Sequence, residues 1–443
     1  MRLNWFSPLP PAKTDIAEYT ARLLPALRAR ADVQLWTDQT SWEADLQRQC
    51  RVRRFDPGKV AWPDLQKADL NIYNIGNNSD FHSGIWLLSQ QMPGIVILHD
   101  TCLQHLFGGY YLHVRKDRDA YVAQMTRHHG EAGRRIAESF AAGACSTESL
   151  AVGFPFTALA LERALGVVVH TRPAFELVAS MTHRPLVYAP LPYQPSGDHA
   201  RRGWDDLRRR RPRPPYKVVV LGYLGPNRRL DSILRALREL PERSEFRLAI
   251  YGTIWDPEYI RRLIHSYALD SLVECYGYME DLDNVLADGD LALNLRHPTM
   301  GEASGTQLRL WDHAIPTMVT KTGWYATLHG DAVRFVRPEC EVTDIIAGLQ
   351  SYLRDPAGAS RLGETGRHIL DTEHTPEQYA ASLAALVPLA LCEYPRTAAL
   401  SLADRVGREL KRWAPAYAHT ARLEHFAEMI TSLPLGTKRS AYK

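Results

Sequence analysis

One stretch of the sequence combines a carboxylate, a hydroxyl and glycines where no hydrophobic repeat requires them. It is RHPTMGEASGTQLR at 296–309, in which Glu302 and Ser304 stand between Gly301 and Gly305. The preceding DLALNL predicts a buried strand and the following residues predict a helix, so the turn would present unpaired backbone N–H groups to an anion. The glycines would let a ligand approach the backbone. Ser304 would donate its hydroxyl or cap the helix.

The glutamate in this turn needs a different partner, because a carboxylate repels phosphate. We expect Glu302 to accept hydrogen bonds from sugar hydroxyls, while the amides behind it hold phosphate oxygens. A helix cap with an incidental glutamate is the alternative interpretation.

A second turn also suits an anion. In LGYLGPNRRLDSIL at 221–234, a predicted strand ends at Gly222, a helix is expected to begin near Leu230, and Arg228 and Arg229 lie between them. A guanidinium matches phosphate oxygens in shape and stays charged at any working pH. Two such turns in one half of the chain suit a nucleotide diphosphate lying across the sheet edge. A surface arginine pair is the alternative.

In the first half, polar residues follow buried strands. Asn77 comes after NIYNI, His99 ends GIVILH, and His170 ends VVVH. Polar groups with a function gather at strand ends that face a cleft in α/β folds. A single histidine is more often structural, but His82 also follows NIYNI, and three histidines at such positions favour a site. The sequence contains no Walker A, H-E-x-x-H, G-x-S-x-G or aspartate-rich metal motif.

The elements around these turns predict an α/β fold. Strand-length runs rich in Val and Ile alternate with helical patterns, and such runs are typical of parallel strands buried on both faces. We therefore expect two doubly wound, Rossmann-like parallel-sheet domains that face a central cleft. The predicted strands are 33–36, 71–75, 94–100, 166–171, 217–223, 246–252, 273–278, 291–295 and 317–320.

The length of 443 residues also favours two domains. A stretch rich in Pro and Arg, and poor in aliphatic residues, separates two halves of similar size. The predicted parts are a first domain at 1–192, a linker at 193–215, a second domain at 216–373, a helix at 374–395 packing back toward the first domain, and a basic amphipathic tail at 396–443.

Composition limits the possible functions. The net charge of +3 does not indicate a nucleic-acid partner, and the six cysteines are far apart, without C-x-x-C, as expected in a reducing cytosol. No apolar run reaches the ~18 residues of a transmembrane helix, and the N-terminus lacks a signal-peptide pattern. We expect a cytoplasmic protein. Basic character is local, at 51–54, 201–214 and in the tail. The last two segments are compatible with an anionic membrane surface, although a tail helix packed on the body is the alternative.

Several motifs in order resemble family 4 glycosyltransferases of the GT-B fold, of the bacterial polysaccharide and O-antigen type. They are SPLPPAKTDIAEYTARLLPAL, YNIGNNSDFH, PGIVILHD, GYLGPNRRLD, NLRHPTMGEASG, KTGWYATL and EHTPEQYA, which span most of the chain. The resemblance implies transfer of a sugar from a GDP-, UDP- or dTDP-sugar with retention, without a metal or other cofactor. The implied acceptor is a hydroxyl of a glycan or polyprenyl-linked glycan in cell-surface polysaccharide synthesis, bound on the side of the first domain.

The resemblance also assigns roles to residues. It implies that Glu302 contacts the donor sugar as the first glutamate of an E-x7-E motif, that His99 lies beside that sugar, and that Arg228 binds the diphosphate. These three are the expected catalytic residues. The expected donor-binding residues are Ser304, Gly305, Thr306, Gly301, Arg229, Gly222, Asn77 and Arg296, with Tyr278 and Met279 at the base.

Three positions depart from the family pattern. Leu310 replaces the second glutamate, Tyr223 replaces a diphosphate-binding arginine, and Asp15 replaces a glycine of the first loop. These changes leave open a non-catalytic GT-B partner subunit. A nucleotide-sugar epimerase or hydrolase on the same fold is a second alternative.

Overall fold

The protein forms two α/β domains, each built on one parallel sheet. The computed structural model describes residues 1–60, 62–151, 153–211, 213–279 and 281–413. The predicted tail beyond residue 413 lies outside the described residues, so its suggested contact with a membrane is not addressed by the structure.

The first sheet has seven parallel strands in the order β3-β2-β1-β4-β5-β6-β7. They are β1 (Arg2–Phe6), β2 (Asp32–Thr37), β3 (Arg51–Arg54), β4 (Leu70–Ile75), β5 (Gly94–Leu98), β6 (Ala164–Val169) and β7 (Leu186–Tyr188). Leu3 of β1 pairs with Val33 on one side and Leu70 on the other. The strand order therefore reverses between β1 and β4, which is where open α/β sheets place their ligands.

The helices of the first domain begin at polar caps. Thr14, Asn78 and Thr171 each accept a hydrogen bond from a backbone N–H of the helix that follows. The helices are α1 (Asp15–Arg28), α2 (Ala44–Gln49), α3 (Trp62–Leu65), α4 (Ser79–Gln91), α5 (Gln104–Gly108), a π-helix (Gly109–Val114), α6 (Arg118–Ala141), α7 (Thr147–Ala151), α8 (Thr157–Leu161) and α9 (Arg172–Met181).

The second sheet has six parallel strands in the order β10-β9-β8-β11-β12-β13, so its strand order reverses between β8 and β11. They are β8 (Tyr216–Leu221), β9 (Phe246–Tyr251), β10 (Val273–Gly277), β11 (Leu291–Asn294), β12 (Thr317–Thr320) and β13 (Arg334–Val336). The later helices are α10 (Asp198–Arg210), α11 (Leu230–Glu239), α12 (Pro257–Ser266), α13 (Leu282–Leu286), α14 (Gly305–Asp312), α15 (Glu341–Arg354), α16 (Pro356–Glu373), α17 (Pro376–Cys392) and α18 (Tyr394–Trp413).

Apolar layers cover both faces of the first sheet. Every residue of β5 is buried, as the continuous run GIVIL predicts. On one face, Phe6 stacks between Tyr73 and Trp36, with ring centroids 4.9 and 5.9 Å apart. On the other face, α1 and α17 pack together against the strands.

Two helices tie the domains together. Leu383 and Val387 of α17 lie in the core of the first domain, and the Tyr379 hydroxyl lies 2.8 Å from that of Tyr19. Helix α10, within the proline- and arginine-rich stretch between the sheets, is anchored on the second domain. There Arg201 donates to Asp312 at 2.8 Å and to Asp371 at 2.9 Å.

Among the helices of the described ranges, none is both long and apolar enough to cross a membrane. The predicted basic amphipathic tail at 396–443 begins within α18, which ends at the last residue that the structure describes.

Candidate functional site

The carboxyl ends of the two sheets meet at a seam between the domains. The backbone N–H groups of Thr101 and Cys102, just after β5, both donate to the carbonyl of Met300 at 2.9 Å. Gly301 beside it has a φ of +83°, and a Cβ at this position would lie 1.8 Å from Thr101 Oγ1. Glycine is therefore required where the first domain reaches the second, a role that sequence reasoning did not assign to Gly301.

Glu302 is buried at this seam and firmly held. Its carboxylate accepts hydrogen bonds from Arg296 Nη1, from Thr299 Oγ1 at 3.1 Å and from the backbone N–H of Met300 at 2.6 Å. A carboxylate with three protein donors keeps one orientation, and its remaining lone pairs can still accept from a ligand. The side chain is therefore not an incidental surface glutamate.

Helix α14 begins beside Glu302, and Ser304 is its cap. Ser304 Oγ accepts from the backbone N–H of Gln307 at 3.1 Å. Within the described ranges, the backbone N–H groups of Gly305 and Thr306 have no hydrogen-bond acceptor. The strand-to-helix turn predicted from the sequence is confirmed, and it presents free amides at a helix start, where an anion is favoured.

Arg228 lies next to this helix start. Its side chain is 3% exposed, and Nη2 donates to the carbonyl of Leu221 at 2.8 Å, while Nε and Nη1 are buried without a partner. A Cβ built on Gly222 would lie 3.4 Å from Arg228 Nη2 and 3.8 Å from Thr306 Oγ1. The two turns singled out in the sequence therefore meet at one point.

A second buried guanidinium adds to the positive charge there. Burial, followed by the neighbouring charge of Arg296, lowers the pKa of Arg228 to about 10. Burial also disfavours the charge of Arg296, but the Glu302 carboxylate outweighs it and raises the pKa of Arg296. Arg296 Nε is buried and unpaired as well. Unpaired buried N–H groups are costly, so an anion bound here would stabilise this pair of arginines.

His99 lies deeper in the first domain. Its Nε2 is 3.0 Å from Asn74 Oδ1, and its ring packs against those of Tyr19 and His170, with centroids 5.0 and 4.8 Å away. Burial, then the proximity of His170, lowers the pKa of His99 well below its usual range. The ring is therefore neutral and held within a cluster of aromatic and histidine side chains. Its expected contact with the donor sugar stays a prediction.

The neighbouring Asp100 reaches the seam, and sequence reasoning did not include it in the site. Desolvation, then the charge of Glu302, raises the pKa of the Asp100 carboxyl to about 7. Asp100 Oδ2 accepts from the backbone N–H of Asn77 at 2.8 Å. The only sequence signal for Asp100 was its position at the end of a buried strand. Asp100, Glu302 and Arg296 together form a cluster of ionisable side chains between the domains.

Two predicted binding residues are engaged with protein atoms. Asn77 Oδ1 accepts from the backbone N–H of His105 at 3.0 Å and therefore holds the start of α5. Arg229 Nε lies 2.9 and 2.8 Å from the two carboxylate oxygens of Glu341 on α15. Consecutive arginines thus point to different partners, and only Arg228 joins the start of α14.

Lys13 and Asp15, where the first loop meets α1, lie at two ends of the candidate site. Lys13 Nζ lies 4.1 Å from the ring centroid of Tyr278, which is 52% exposed, and Met279 packs against a small apolar cluster beside it. A Cβ built on Gly305 would lie 3.5 Å from Asp15 Oδ2. The carboxylate that departs from the family pattern therefore stands directly over the start of α14.

An exposed aromatic pair borders the site. Tyr223 and Trp255 are 61% and 68% exposed, and their rings meet edge to face with centroids 6.5 Å apart. They follow the neighbouring strands β8 and β9. Sequence reasoning noted Tyr223 only as a substitution and missed Trp255, because exposure of a single aromatic residue leaves no pattern in the sequence.

The fold is similar to that of several solved structures. Anabaena HepE in complex with UDP has a TM-score of 0.58 at 12% identity, covering 87% of this chain and 99% of that chain. WaaG, a glycosyltransferase involved in lipopolysaccharide biosynthesis, has a TM-score of 0.56 at 16% identity, covering 86% and 98%. Sucrose-phosphate synthase from Thermosynechococcus elongatus has a TM-score of 0.58 at 15% identity, covering 87% and 98%.

These comparisons establish the architecture. The protein has the GT-B fold, with two parallel-sheet α/β domains, as the sequence predicts. No protein-family model matches the chain, and no curated protein matches it.

Proposed function

We propose that this protein is a family 4 retaining glycosyltransferase that moves a sugar from a nucleotide diphosphate sugar to a glycan hydroxyl. The observation that carries the proposal is the meeting of the buried, partly unpaired Arg228 and Arg296 with the free amides at the start of α14. Structures of similar GT-B proteins support a nucleotide sugar as the donor, because HepE structures contain UDP and UDP-glucose.

In this proposal, the chain stabilises the leaving nucleoside diphosphate. The amides of Gly305 and Thr306 and the guanidinium of Arg228 are already in place where negative charge develops, so no reorganisation is needed as the bond to the sugar breaks. Leu310, at the position of the family's second glutamate, is fully buried in an apolar cluster. The donor ribose must therefore be held by other groups.

Glu302 positions the donor sugar. Arg296 and the Met300 amide hold one orientation of its carboxylate, which leaves lone pairs for the sugar hydroxyls. The acceptor hydroxyl enters from the side of the first domain and attacks the face from which the diphosphate departs. The seam between Thr101 and Met300 excludes water and thereby limits hydrolysis of the donor.

We further propose that the reaction needs no bound metal and that the acceptor is a glycan, carried on a polyprenyl lipid at the inner membrane face. The buried guanidinium groups supply the positive charge that a metal would otherwise provide. Exposed arginines on α10 (Arg202, Arg209 and Arg210) support contact with anionic headgroups.

A panel of nucleoside diphosphates and their sugars tests the proposal. A ligand of the folded protein raises its melting temperature, so one base of GDP, UDP and dTDP should give a clear upward shift. The matching nucleotide sugar, with a glycan acceptor, should then yield a product with the donor's anomeric configuration, and EDTA should not slow the reaction. No shift with any nucleotide would instead indicate a non-catalytic partner subunit. Conversion of the donor without an acceptor would indicate an epimerase or hydrolase.

The variant Glu302→Gln tests the role of the Glu302 carboxylate, because it removes the charge of the side chain and keeps its shape. We expect turnover to fall by about a hundredfold or more, with a smaller change in donor KM, since the carboxylate aligns the sugar for reaction. Glu258→Gln on the exposed face of α12 is the control and should behave as wild type. Turnover of Glu302→Gln at the wild-type rate would remove Glu302 from the mechanism.

A further inference from the structure

A cavity of about 550 Å³ opens at the amino-terminal ends of β1, β2 and β3. In a parallel sheet, these ends lie opposite the carboxyl ends, which in this domain face the seam. The cavity is therefore separate from the candidate donor site. Its charged lining consists of Arg2, Arg28, Asp32, Arg51, Arg53, Asp64 and Lys67.

The lining has three positive charges in excess, since five cationic side chains face two carboxylates. Asp32 pairs with Arg2 at 3.1 Å, and Asp64 pairs with Lys67 at 2.7 Å and with Arg53. In the part of the chain that the structure describes, Arg28 and Arg51 have no carboxylate partner. Alternation along β3 places Arg51 and Arg53 on the same face of the strand. The basic run RVRR at 51–54 thus contributes two cations to one cavity.

We propose that this cavity is a second ligand site, which binds a phosphate-bearing anion through Arg28 and Arg51. Guanidinium groups match phosphate oxygens with two parallel hydrogen bonds. The volume lies within the range of roughly 300–1,000 Å³ that small-molecule sites occupy. The lining is polar rather than apolar, so an ionic ligand fits it better than an apolar one. A soluble phosphate ester and a phospholipid headgroup carry the same group, and experiment can separate these two sources.

Cys50 provides a reporter inside the cavity. Its thiol is half-buried in the lining, and burial raises its pKa, an effect that the charge of Arg28 partly offsets. Cys275 and Cys392 are exposed elsewhere on the protein and serve as internal references. Alkylation by iodoacetamide, resolved for each cysteine by mass spectrometry, therefore measures access to this one site.

In the first arm, the probes are inorganic phosphate and pyrophosphate at constant ionic strength. We expect saturating probe to slow alkylation of Cys50 by about fivefold or more, and to leave Cys275 and Cys392 unchanged. The double variant Arg28→Gln/Arg51→Gln should lose this protection. Arg262→Gln/Arg354→Gln, which removes two exposed arginines outside the cavity, should keep it. The protection is compared with and without probe within each variant, because removing Arg28 also changes the intrinsic reactivity of Cys50.

In the second arm, the probes are vesicles of phosphatidylcholine alone or mixed with phosphatidylglycerol. Protection of Cys50 by the anionic vesicles only, lost in Arg28→Gln/Arg51→Gln, would identify a lipid headgroup as the source. Protection by soluble phosphate only would identify a small phosphate ester. The proposal is overturned if neither arm protects Cys50, or if the double variant is protected as well as wild type. None of these outcomes depends on the donor site, since Cys50 reports only on the cavity.

Discussion

Among the described residues of the candidate site, Arg228 has the most hydrogen-bond donors without an acceptor. Two of its guanidinium nitrogens are buried without a partner, and a second buried guanidinium, Arg296, lies close enough to lower its pKa. Such an arrangement is costly in the free protein and favourable only when an anion is bound. The stability of the protein and its affinity for a diphosphate should therefore respond in opposite directions when Arg228 is removed.

We expect Arg228→Ala to weaken binding of the preferred nucleoside diphosphate by roughly tenfold to a hundredfold, because a charge-assisted hydrogen bond is lost. The free energy of unfolding should stay unchanged or rise, since an uncompensated buried charge is removed. Calorimetric titration and chemical denaturation measure the two effects. Arg202→Ala on the exposed side of α10 is the control. Unaltered nucleotide affinity in Arg228→Ala would exclude this residue from the anion site.

Asp100 should make stability depend on pH. Its pKa is raised to about 7 in the folded protein, above the ordinary value of 3.8, so the fold favours the protonated carboxyl. Its contribution is fully present below about pH 4 and is lost as the pH rises through 7. We expect the stability of wild type relative to Asp100→Asn to decline between these pH values in denaturation experiments. A difference that stays constant or grows with pH would show that Asp100 is charged in the folded protein.

At the scale of elements, the starts of two helices from different domains face each other. Asp15 in the first turn of α1 stands over Gly305, the first residue of α14, where the proposed diphosphate would bind. Its charge also acts on Arg228 and Arg309. The first loop therefore places a negative charge beside the anion site, which should limit affinity for the donor.

Asp15→Asn removes this charge and keeps the size of the side chain. We expect it to bind the preferred nucleoside diphosphate about three- to tenfold more tightly at low salt, with a smaller gain at high salt, because exposed charges are screened. Titrations at two ionic strengths measure this, with Glu18→Gln on the exposed face of α1 as the control. Weaker binding by Asp15→Asn would mean that Asp15 contacts the donor directly.

How far the sequence predicts these elements depends on their burial. The Val- and Ile-rich runs correctly predict β5, β6 and β8, because strands buried on both faces leave a continuous apolar pattern. Strand β3 was missed, since RVRR is charged throughout and lies at the sheet edge. The short β13 and β7 leave too few residues for a pattern, and β1 interrupts its apolar residues with Asn4.

The candidate site shows the same limit at longer range. Both strand-to-helix turns were predicted, because glycine, serine and arginine at such a junction have a local meaning. The different partners of Arg228 and Arg229 were not predicted, because the partner of Arg229 is Glu341, which is distant in the chain. Asp100 acquires its role only when the domains meet. Contacts between distant segments carry no local signal.

At the scale of the whole molecule, the closed seam depends on one glycine. Gly301 combines a φ of +83° with the close approach of Thr101 from the other domain. A side chain here meets both a strained backbone and a clash with Thr101, and the clash is relieved if the domains move apart. Helix α17 also links the domains, and its residues pack in the core of the first domain rather than at the seam, so opening need not unfold either domain.

Gly301→Ala should therefore loosen the closed state without destroying the fold. We expect a loss of about 1–3 kcal/mol in the free energy of unfolding, a larger radius of gyration in small-angle X-ray scattering, and slower sugar transfer with more hydrolysis of the donor. Gly197→Ala is the matched control, because a Cβ there meets nothing within 4 Å and its φ of −66° suits any residue. If Gly301→Ala keeps the wild-type radius and the wild-type ratio of transfer to hydrolysis, the contact between Thr101 and Met300 does not control closure. Water exclusion would then have to come from the loop that carries Lys13 and Asp15 instead.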